Sequence, residues 1–327
     1  MFRRKEEVVF LILFMVLGFS IIIALSSGVA GISFLDLLKG ELSSIEETIL
    51  IDIRLPRVIL AGLVGLALAS SGVAFQGLFN NVMADPYIIG ISAGASLGAV
   101  IAINFGLDYY FLGIGSVPLL AFLGAILATL GVYTLAWKNG RVSIPDLLLS
   151  GVAISFFLSA LVSLLMIVDT NSLQKVFYWL MGSLTRGSWT EVRMIWLPIL
   201  IAFFILYLYA DKLNIILLGE ENALYLGVNV ERVKVIILIL GSLLTGTAVA
   251  VSGVVGFIGL MVPHIMRLIV GANHKILLPA AALGGASFLI LTDTLARTIL
   301  APTEIPVGII TALCGGPFFL YLLRKRN

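Results

Sequence analysis

Apolar residues occur in ten runs along the chain, separated by short segments that carry most of the charged residues. A helix that crosses a bilayer needs about 20 mostly apolar residues, and most of these runs approach that length. The pattern therefore predicts ten membrane spans, of which the eighth is short and rich in Gly and Pro. The predicted spans cover residues 8–27, 58–79, 88–106, 116–137, 147–168, 192–210, 233–252, 256–271, 277–296 and 305–323.

Composition supports an all-α integral membrane protein. Of the 327 residues, 60% are apolar and 12% are charged, about half the charged share of soluble domains. The net charge of +2 is too small to indicate a nucleic-acid partner. A cleaved signal peptide at the first span is disfavoured, because the apolar run is long and Glu6 and Glu7 interrupt the basic start. Cys314, the single cysteine, is expected to act as a small apolar side chain.

Basic residues predict the orientation. With ten spans both termini lie on one side of the membrane, and thirteen of the 20 Lys and Arg residues fall on that side. Because Lys and Arg accumulate in cytoplasmic loops, both termini are predicted to be cytoplasmic. The seven basic residues predicted on the outer side are Lys39, Arg54, Arg57, Lys175, Arg186, Arg193 and Arg297.

An internal repeat is visible in small residues. The pattern of Ala67, Ala69, Ser71, Gly72 and Val73 recurs as Ala248, Ala250, Ser252, Gly253 and Val254, and residues 94–96 (Gly-Ala-Ser) recur at 285–287. The first match relates the second span to the seventh, so the two halves, about 55–170 and 230–323, would be inverted copies, which is typical of transporters. Convergent helix packing by small residues is the alternative.

Ionisable groups inside the predicted spans are scarce. Asp293 is the one plausible intramembrane carboxylate, and we expect it to cap its helix or to pair with Arg297. His264 and His274 lack Cys or Glu partners at ligand spacing, so we predict no metal site and structural roles for both. No phosphate-binding G-x-x-x-x-G-K-[ST] loop occurs either. An ion-coupled secondary transporter or a channel remains open as an alternative, although no coupling-ion site or selectivity filter is visible.

The longest predicted cytoplasmic segment, residues 211–232, contains a short helix candidate. Glu220 and Glu221 favour a helix N-terminus, and Gly227 can supply a left-handed stop. Residues 223–226 (Ala-Leu-Tyr-Leu) would form an apolar patch on this exposed helix. The segment either packs on its own chain or inserts into a groove on a partner.

Six motifs, in order along almost the whole chain, resemble the FecCD/BtuC-like permeases of ABC importers for iron-siderophores, haem and vitamin B12. Val82 departs from the family pattern, which has a proline there. The motifs are Arg54-Leu55-Pro56-Arg57; Ser71-Gly72 with Gln76 and residues 81–86 (NVMADP); residues 179–183 (WLMGS); residues 218–221 (LGEE) with Ala223 and residues 226–229 (LGVN); residues 257–267 (FIGLMVPHIMR); and residues 293–297 (DTLAR) with 304–308 (EIPVG).

The resemblance implies a single permease domain over residues 1–327 with the type II ABC importer fold. It implies a homodimer or a pair of homologous permeases in the cell membrane, two cytoplasmic ATP-binding subunits and an extracytoplasmic substrate-binding protein. The chain itself would have no catalytic residue and no cofactor. The expected cargo is a metal chelate, with an iron(III)-siderophore first and cobalamin or haem next.

The resemblance also assigns residues to roles. Arg54, Arg57 and Arg297 would receive glutamates of the binding protein, although arginines at a membrane surface also snorkel or pair with Asp52 and Asp293. The ATPase-coupling residues would be Leu218, Gly219, Glu220, Glu221, Ala223, Leu226 and Gly227. The cytoplasmic gate would be formed by Asn81, Met83, Ile144 and Pro145. Gly151, Ser155 and Ser159 form a small-residue stripe on the fifth span, which would line the translocation path or serve helix packing.

Overall fold

The computed structural model describes residues 2–28, 43–111, 113–138 and 140–325, and within them it contains a helix at each of the ten predicted spans. The elements, in chain order, are α1 (Phe2–Ser26), α2 (Ser44–Thr48), a π-helical segment (Ile49–Arg54), α3 (Leu55–Leu78), a 3-10 turn (Pro86–Ile89), α4 (Ile91–Asn104), β1 (Tyr110–Phe111), β2 (Ile114–Gly115), α5 (Ser116–Ala136), β3 (Trp137–Lys138), β4 (Arg141–Val142), α6 (Ile144–Val168), α7 (Leu173–Leu180), α8 (Trp189–Leu208), α9 (Ala210–Ile216), α10 (Glu220–Tyr225), α11 (Val230–Ser252), α12 (Ile258–Val270), α13 (His274–Thr298) and α14 (Val307–Lys325).

Seven of the described helices are long and apolar enough to cross a membrane. They are α1, the continuous helix from Ser44 to Leu78, α5, α6, α8, α11 and α13. The other three predicted spans are the shorter apolar helices α4, α12 and α14. The second span begins earlier than predicted, because Ser43 and Glu46 form a capping box that starts the helix at residue 44.

Helices α3 and α13 form the centre of the fold and run antiparallel along their whole lengths. Arg57 contacts Asp293 near one end, and Gly65 lies directly against the backbone of Gly285 further along. Glycine is required at that crossing because any side chain would enter the neighbouring helix. The two helices therefore share a close backbone contact.

The packing follows the predicted inverted repeat. The second span, α3, packs on the ninth, α13, while the seventh, α11, packs on the fourth, α5. If the second span is matched to the seventh and the fourth to the ninth, the α3–α13 pair of one half corresponds to the α11–α5 pair of the other. The match between residues 94–96 and 285–287 is different, because α4 and α13 are six spans apart; it reflects glycine packing, with Gly94 against Gly124 and Gly285 against Gly65.

Helix α6, the fifth span, is the least buried of the seven long described helices. Leu149, Phe156 and Ile167 expose at least 71% of their surface. A short antiparallel hairpin, β3–β4, joins α5 to α6, and Ser143 caps α6 by accepting a hydrogen bond from the Asp146 amide. The chain thus presents a broad apolar face along α6.

Candidate functional site

Arg57 lies in a buried charge cluster at the predicted outer end of α3. Its Nε and Nη2 atoms donate to the two carboxylate oxygens of Asp293, each at 2.9 Å. Its Nη1 atom donates to Glu304 at 2.9 and 3.0 Å. Two edges of one guanidinium group therefore hold two carboxylates, which is the planar arrangement that favours Arg over Lys.

The expected Asp293–Arg297 pair was wrong. Asp293 pairs instead with Arg57, which is the ion pairing noted above as the alternative for the outer arginines. Arg297 instead donates from Nη2 to the carbonyl oxygen of Ala24, and Arg54 donates to the carbonyl oxygen of Leu25 at 2.6 Å. Both bonds tie α1 to the bundle by satisfying carbonyl groups in its last turn.

The three arginines assigned to docking lie close together but are buried. Arg54 is 4% exposed, and Arg57 and Arg297 are 9% exposed. Asp52 is exposed, and the side chain of Glu304 is 34% exposed. Within the described residues, access to the Arg57 guanidinium is therefore greatest on its Glu304 side. Lys39, also predicted on this face, lies outside the described residues.

The predicted helix in the cytoplasmic segment is confirmed as α10. Gly219 precedes the helix with φ 105°, and Gly227 follows it with φ 77°, as the left-handed stop requires. The Val228 amide donates to Ala223 and the Gly227 amide to Leu224, which is the Schellman arrangement of a helix end.

The predicted apolar patch on α10 needs one correction. Ala223 is fully buried, because it packs against the core beneath the helix. Leu224, Tyr225 and Leu226 remain 60%, 90% and 62% exposed, and Leu218, Glu220 and Glu221 are also exposed. The patch is thus three consecutive large side chains on a helix that the chain itself anchors through Ala223.

The loop that contains the predicted gate residues Asn81 and Met83 is ordered without the proline expected at Val82. The side chain of Asn81 accepts a hydrogen bond from the Met83 amide, and its backbone amide donates to Gln76. The Ala84 amide closes the turn on the Asn81 carbonyl oxygen. At the other predicted gate position, Ile144 packs partly against the core and Pro145 is exposed at the start of α6.

The small-residue stripe on α6 divides into two parts. Gly151 faces the backbone of Ile88, and Ser155 lies beside Gly90. These two residues therefore serve close packing of α6 on the 3-10 turn, the alternative noted for the stripe. Ser159 is exposed.

Comparison with known proteins identifies the family. A model described as the FecCD transport family matches residues 14–325. The chain belongs to the FecCD transport family.

Relatives of this FecCD protein carry different cargoes. The cobalamin import system permease protein BtuC of Halobacterium salinarum is 46% identical over 86% of this chain and 74% of its own length. The hemin transport system permease protein HmuU of Yersinia pestis is 44% identical over 94% of this chain and 93% of its own. A solved structure described as an inward-facing metal-chelate type ABC transporter superposes with a TM-score of 0.88 at 34% identity, covering 98% of this chain and 99% of that one.

The FecCD protein is therefore a multi-pass membrane permease of an ABC importer for metal chelates. Permeases of this family are transport components and not enzymes, and they work with ATP-binding subunits and a binding protein. Membership of the family excludes the secondary-transporter and channel alternatives.

Sequence reasoning missed two polar groups that join segments of this permease. The hydroxyl of Tyr87 donates to the Val255 carbonyl oxygen at 2.9 Å and accepts from the Val255 amide at 3.3 Å. Asp85 starts the same 3-10 turn by accepting from the Tyr87 amide, and burial raises the pKa of its carboxyl above the usual range. The turn before α4 is thereby fixed to the loop before α12.

The second missed residue is Lys234, which is 5% exposed although it lies near the predicted inner end of α11. It forms ion pairs with Glu220 at 2.8 Å and with Glu231 at 3.1 Å. The spacing of Glu231 and Lys234, three residues apart at the start of a span, was the available signal.

The histidines have the structural surroundings expected for them. The His274 ring nitrogen Nδ1 and backbone amide both lie 2.8 Å from the side-chain oxygen of Asn214, and the His264 ring packs edge-on against Phe318. The described residues contain no group of three or more His, Cys, Asp or Glu side chains that would hold a metal ion. Cys314 is exposed on α14.

Proposed function

We propose that this protein is the permease of an importer that moves an intact metal chelate into the cytoplasm, with an iron(III)-siderophore as the first candidate and cobalamin or haem as the alternatives. Two relatives of similar identity carry cobalamin and hemin, which supports the chelate class over any one member. The observation that carries the proposal is the full-length match in fold to a metal-chelate type transporter. Both termini would be cytoplasmic, in the cell or inner membrane.

Uptake by the reconstituted complex tests this function. The permease, its ATPase and its binding protein would be placed in liposomes and offered a ferric siderophore, cobalamin and hemin in separate assays. We expect ATP-dependent uptake of one of them that requires the binding protein. An ATPase variant without its phosphate-binding lysine is the control. Uptake of none of the three, by a complex that hydrolyses ATP, would refute the chelate assignment.

We propose further that two permeases assemble along α6, with the translocation path between them. The exposed apolar face of this helix, including Phe156 and Phe157 at 75% and 63% exposure, supports the proposal, because such a face is covered by lipid or by protein. Of the stripe, Ser159 is the best placed to line the path. The gate would lie at the inner end of α6, at Ile144 and Pro145, opposite Asn81 and Met83. Native mass spectrometry of the detergent-solubilised complex would give one permease copy if the proposal is wrong.

Docking of the binding protein is proposed at Arg54, Arg57 and Arg297. Their burial supports a specific route, in which a carboxylate of the binding protein replaces Glu304 on Arg57 while Asp293 keeps its two bonds. Arg54 and Arg297 would hold the end of α1 beside this position through their carbonyl contacts.

Removal of the competing carboxylate tests the docking route. We expect Glu304→Ala to increase the affinity for the binding protein, measured by surface plasmon resonance, and to steepen its decrease with added salt. Asp52→Ala, which removes a carboxylate that is exposed at the same end, is the matched control. Equal affinities of both variants and the wild type would contradict docking on Arg57.

Coupling to the ATPase is proposed through α10 and its flanking residues, from Leu218 to Gly227. Three exposed apolar side chains at the C-terminal end of a helix that ends in a Schellman motif suit insertion into a groove on a soluble subunit. The buried Ala223 would keep the helix on the permease while Leu226 and its neighbours enter the ATPase.

A further inference from the structure

Lys234 joins three separate segments at the predicted inner face. Its ammonium group contacts Glu220 of α10 and Glu231 of α11, and it lies 3.4 Å from the carbonyl oxygen of Val142 in β4. Glu231 in turn accepts a hydrogen bond from the Val142 amide at 2.9 Å. Strand β4 leads directly into α6, so the network connects the proposed ATPase-binding helix with the helix that carries the proposed gate.

The geometry accounts for all three donors of the ammonium group. An ammonium group can donate three hydrogen bonds, and here two go to carboxylates and one to a carbonyl group. Burying a lysine is expensive unless it is paired and hydrogen-bonded in this way. The side chain of Lys234 is 6% exposed, against 48% for Glu220 and 28% for Glu231. Lys234 is thus the buried residue at the centre of the network, and the two glutamates are its more exposed members.

The polar contacts lie beside an open space. The same segments border a cavity of 380 Å³ whose lining includes Val142, Ile144, Glu220 and Lys234. The polar contacts therefore give α10 and the start of α6 a direct link across this space, in addition to the apolar core that includes both Ala223 and Val142. A rigid, hydrogen-bonded connection of this kind can carry coupling between distant sites.

We propose that Lys234 is a positioning residue that transmits movement of α10 to the inner end of α6. This inference rests on the proposed role of α10 as the ATPase-binding helix. When the ATPase pulls on α10, Glu220 moves Lys234, and the Lys234–Glu231–Val142 contacts move β4 and the residues that follow it. Without the ammonium group, α10 and β4 lose their common partner.

The test compares uptake with ATP hydrolysis in the reconstituted complex. We expect Lys234→Met to lower chelate uptake per ATP hydrolysed about tenfold, a typical size for coupling between sites, while the ATPase remains bound. Lys234→Arg should restore much of the ratio, because it restores the charge. Lys275→Met is the matched control, since it removes an exposed lysine of the same face that pairs with Asp211; its ratio should equal that of the wild type.

Each other outcome has a defined meaning. An unchanged ratio in Lys234→Met would overturn the proposal, and so would loss of ATPase binding in that variant, which would assign Lys234 to docking or folding. If Lys234→Met gives no folded permease, Glu231→Ala decides, because its partly exposed side chain contacts both Lys234 and β4: a lowered ratio supports the link and a wild-type ratio overturns it. A wild-type complex without ATP-dependent uptake would instead refute the proposed function.

Discussion

The crossing of α3 and α13 is tested most sharply by Gly65→Ala. A methyl group added at Gly65 would lie 2.7 Å from the carbonyl carbon of Gly285, closer still to its oxygen, and 3.0 Å from Cβ of Leu289. Carbon atoms in contact prefer about 3.5–4.0 Å, so the helices must separate locally by about 1 Å. Overpacking of this kind costs about 1–3 kcal/mol, against which the better helix propensity of Ala returns about 1 kcal/mol.

Gly62→Ala is the matched control one turn earlier on the same helix. Its added methyl group would meet only the side chain of Ile290, at an ordinary 3.5 Å, so it gains the same helix propensity without the clash. We therefore expect the free energy of unfolding to be about 1–3 kcal/mol lower for Gly65→Ala than for Gly62→Ala. Reversible SDS unfolding in mixed micelles, followed by tryptophan fluorescence, measures this difference. Equal stabilities would refute the close antiparallel contact.

Three further variants test other contacts. Tyr87→Phe leaves both backbone groups of Val255 without their hydroxyl partner. We expect the free energy of unfolding to fall by about 1–3 kcal/mol in the same assay. No loss would mean that water replaces the hydroxyl. Arg57→Met removes the hydrogen-bonded counter-charge of the buried Asp293 carboxylate, which should cost about 3–5 kcal/mol. Adding Asp293→Asn should recover part of this loss, and a double variant no more stable than the single one would contradict the pairing. Leu226→Asp should leave the amount of folded permease unchanged but lower ATP-dependent uptake about tenfold, because a carboxylate cannot enter an apolar groove; normal uptake would remove α10 from the coupling interface.

The spans were predictable because each is a continuous apolar run, and hydropathy alone separates it from its neighbours. The helix at residues 220–225 was predictable for a local reason, since Glu220 and Gly227 mark its two ends. The contacts between residues on different helices were not predictable. Whether Asp293 meets Arg57 or Arg297 depends on how α13 is rotated and shifted against α3, which the spacing along one helix does not determine. Spacing along α13 favours Arg297, which follows Asp293 by four residues. In the fold, Asp293 pairs instead with Arg57, which is 236 residues away along the chain.

Only one part of the Lys234 network could be predicted from the sequence. Its Glu231 contact follows from spacing on one helix, whereas Val142 is 92 residues away and contributes a backbone carbonyl group that carries no sequence signal. The burial of the three arginines proposed for docking was also outside sequence reasoning, because it depends on contacts with distant residues: Arg54 and Arg297 bond to the end of α1, and Arg57 bonds to Asp293 and Glu304.

The separation of Arg57 from its partners has a consequence for biosynthesis. A membrane protein is inserted from its N-terminus as the ribosome makes it, and synthesis proceeds at about 5–20 residues per second. Asp293 and Glu304 follow Arg57 by 236 and 247 residues, so the second span spends at least ten seconds or so in the membrane with this guanidinium still without its carboxylates. The cluster can therefore be completed only after the ninth span and the segment that follows it have been made, which places its formation late in the assembly of the bundle.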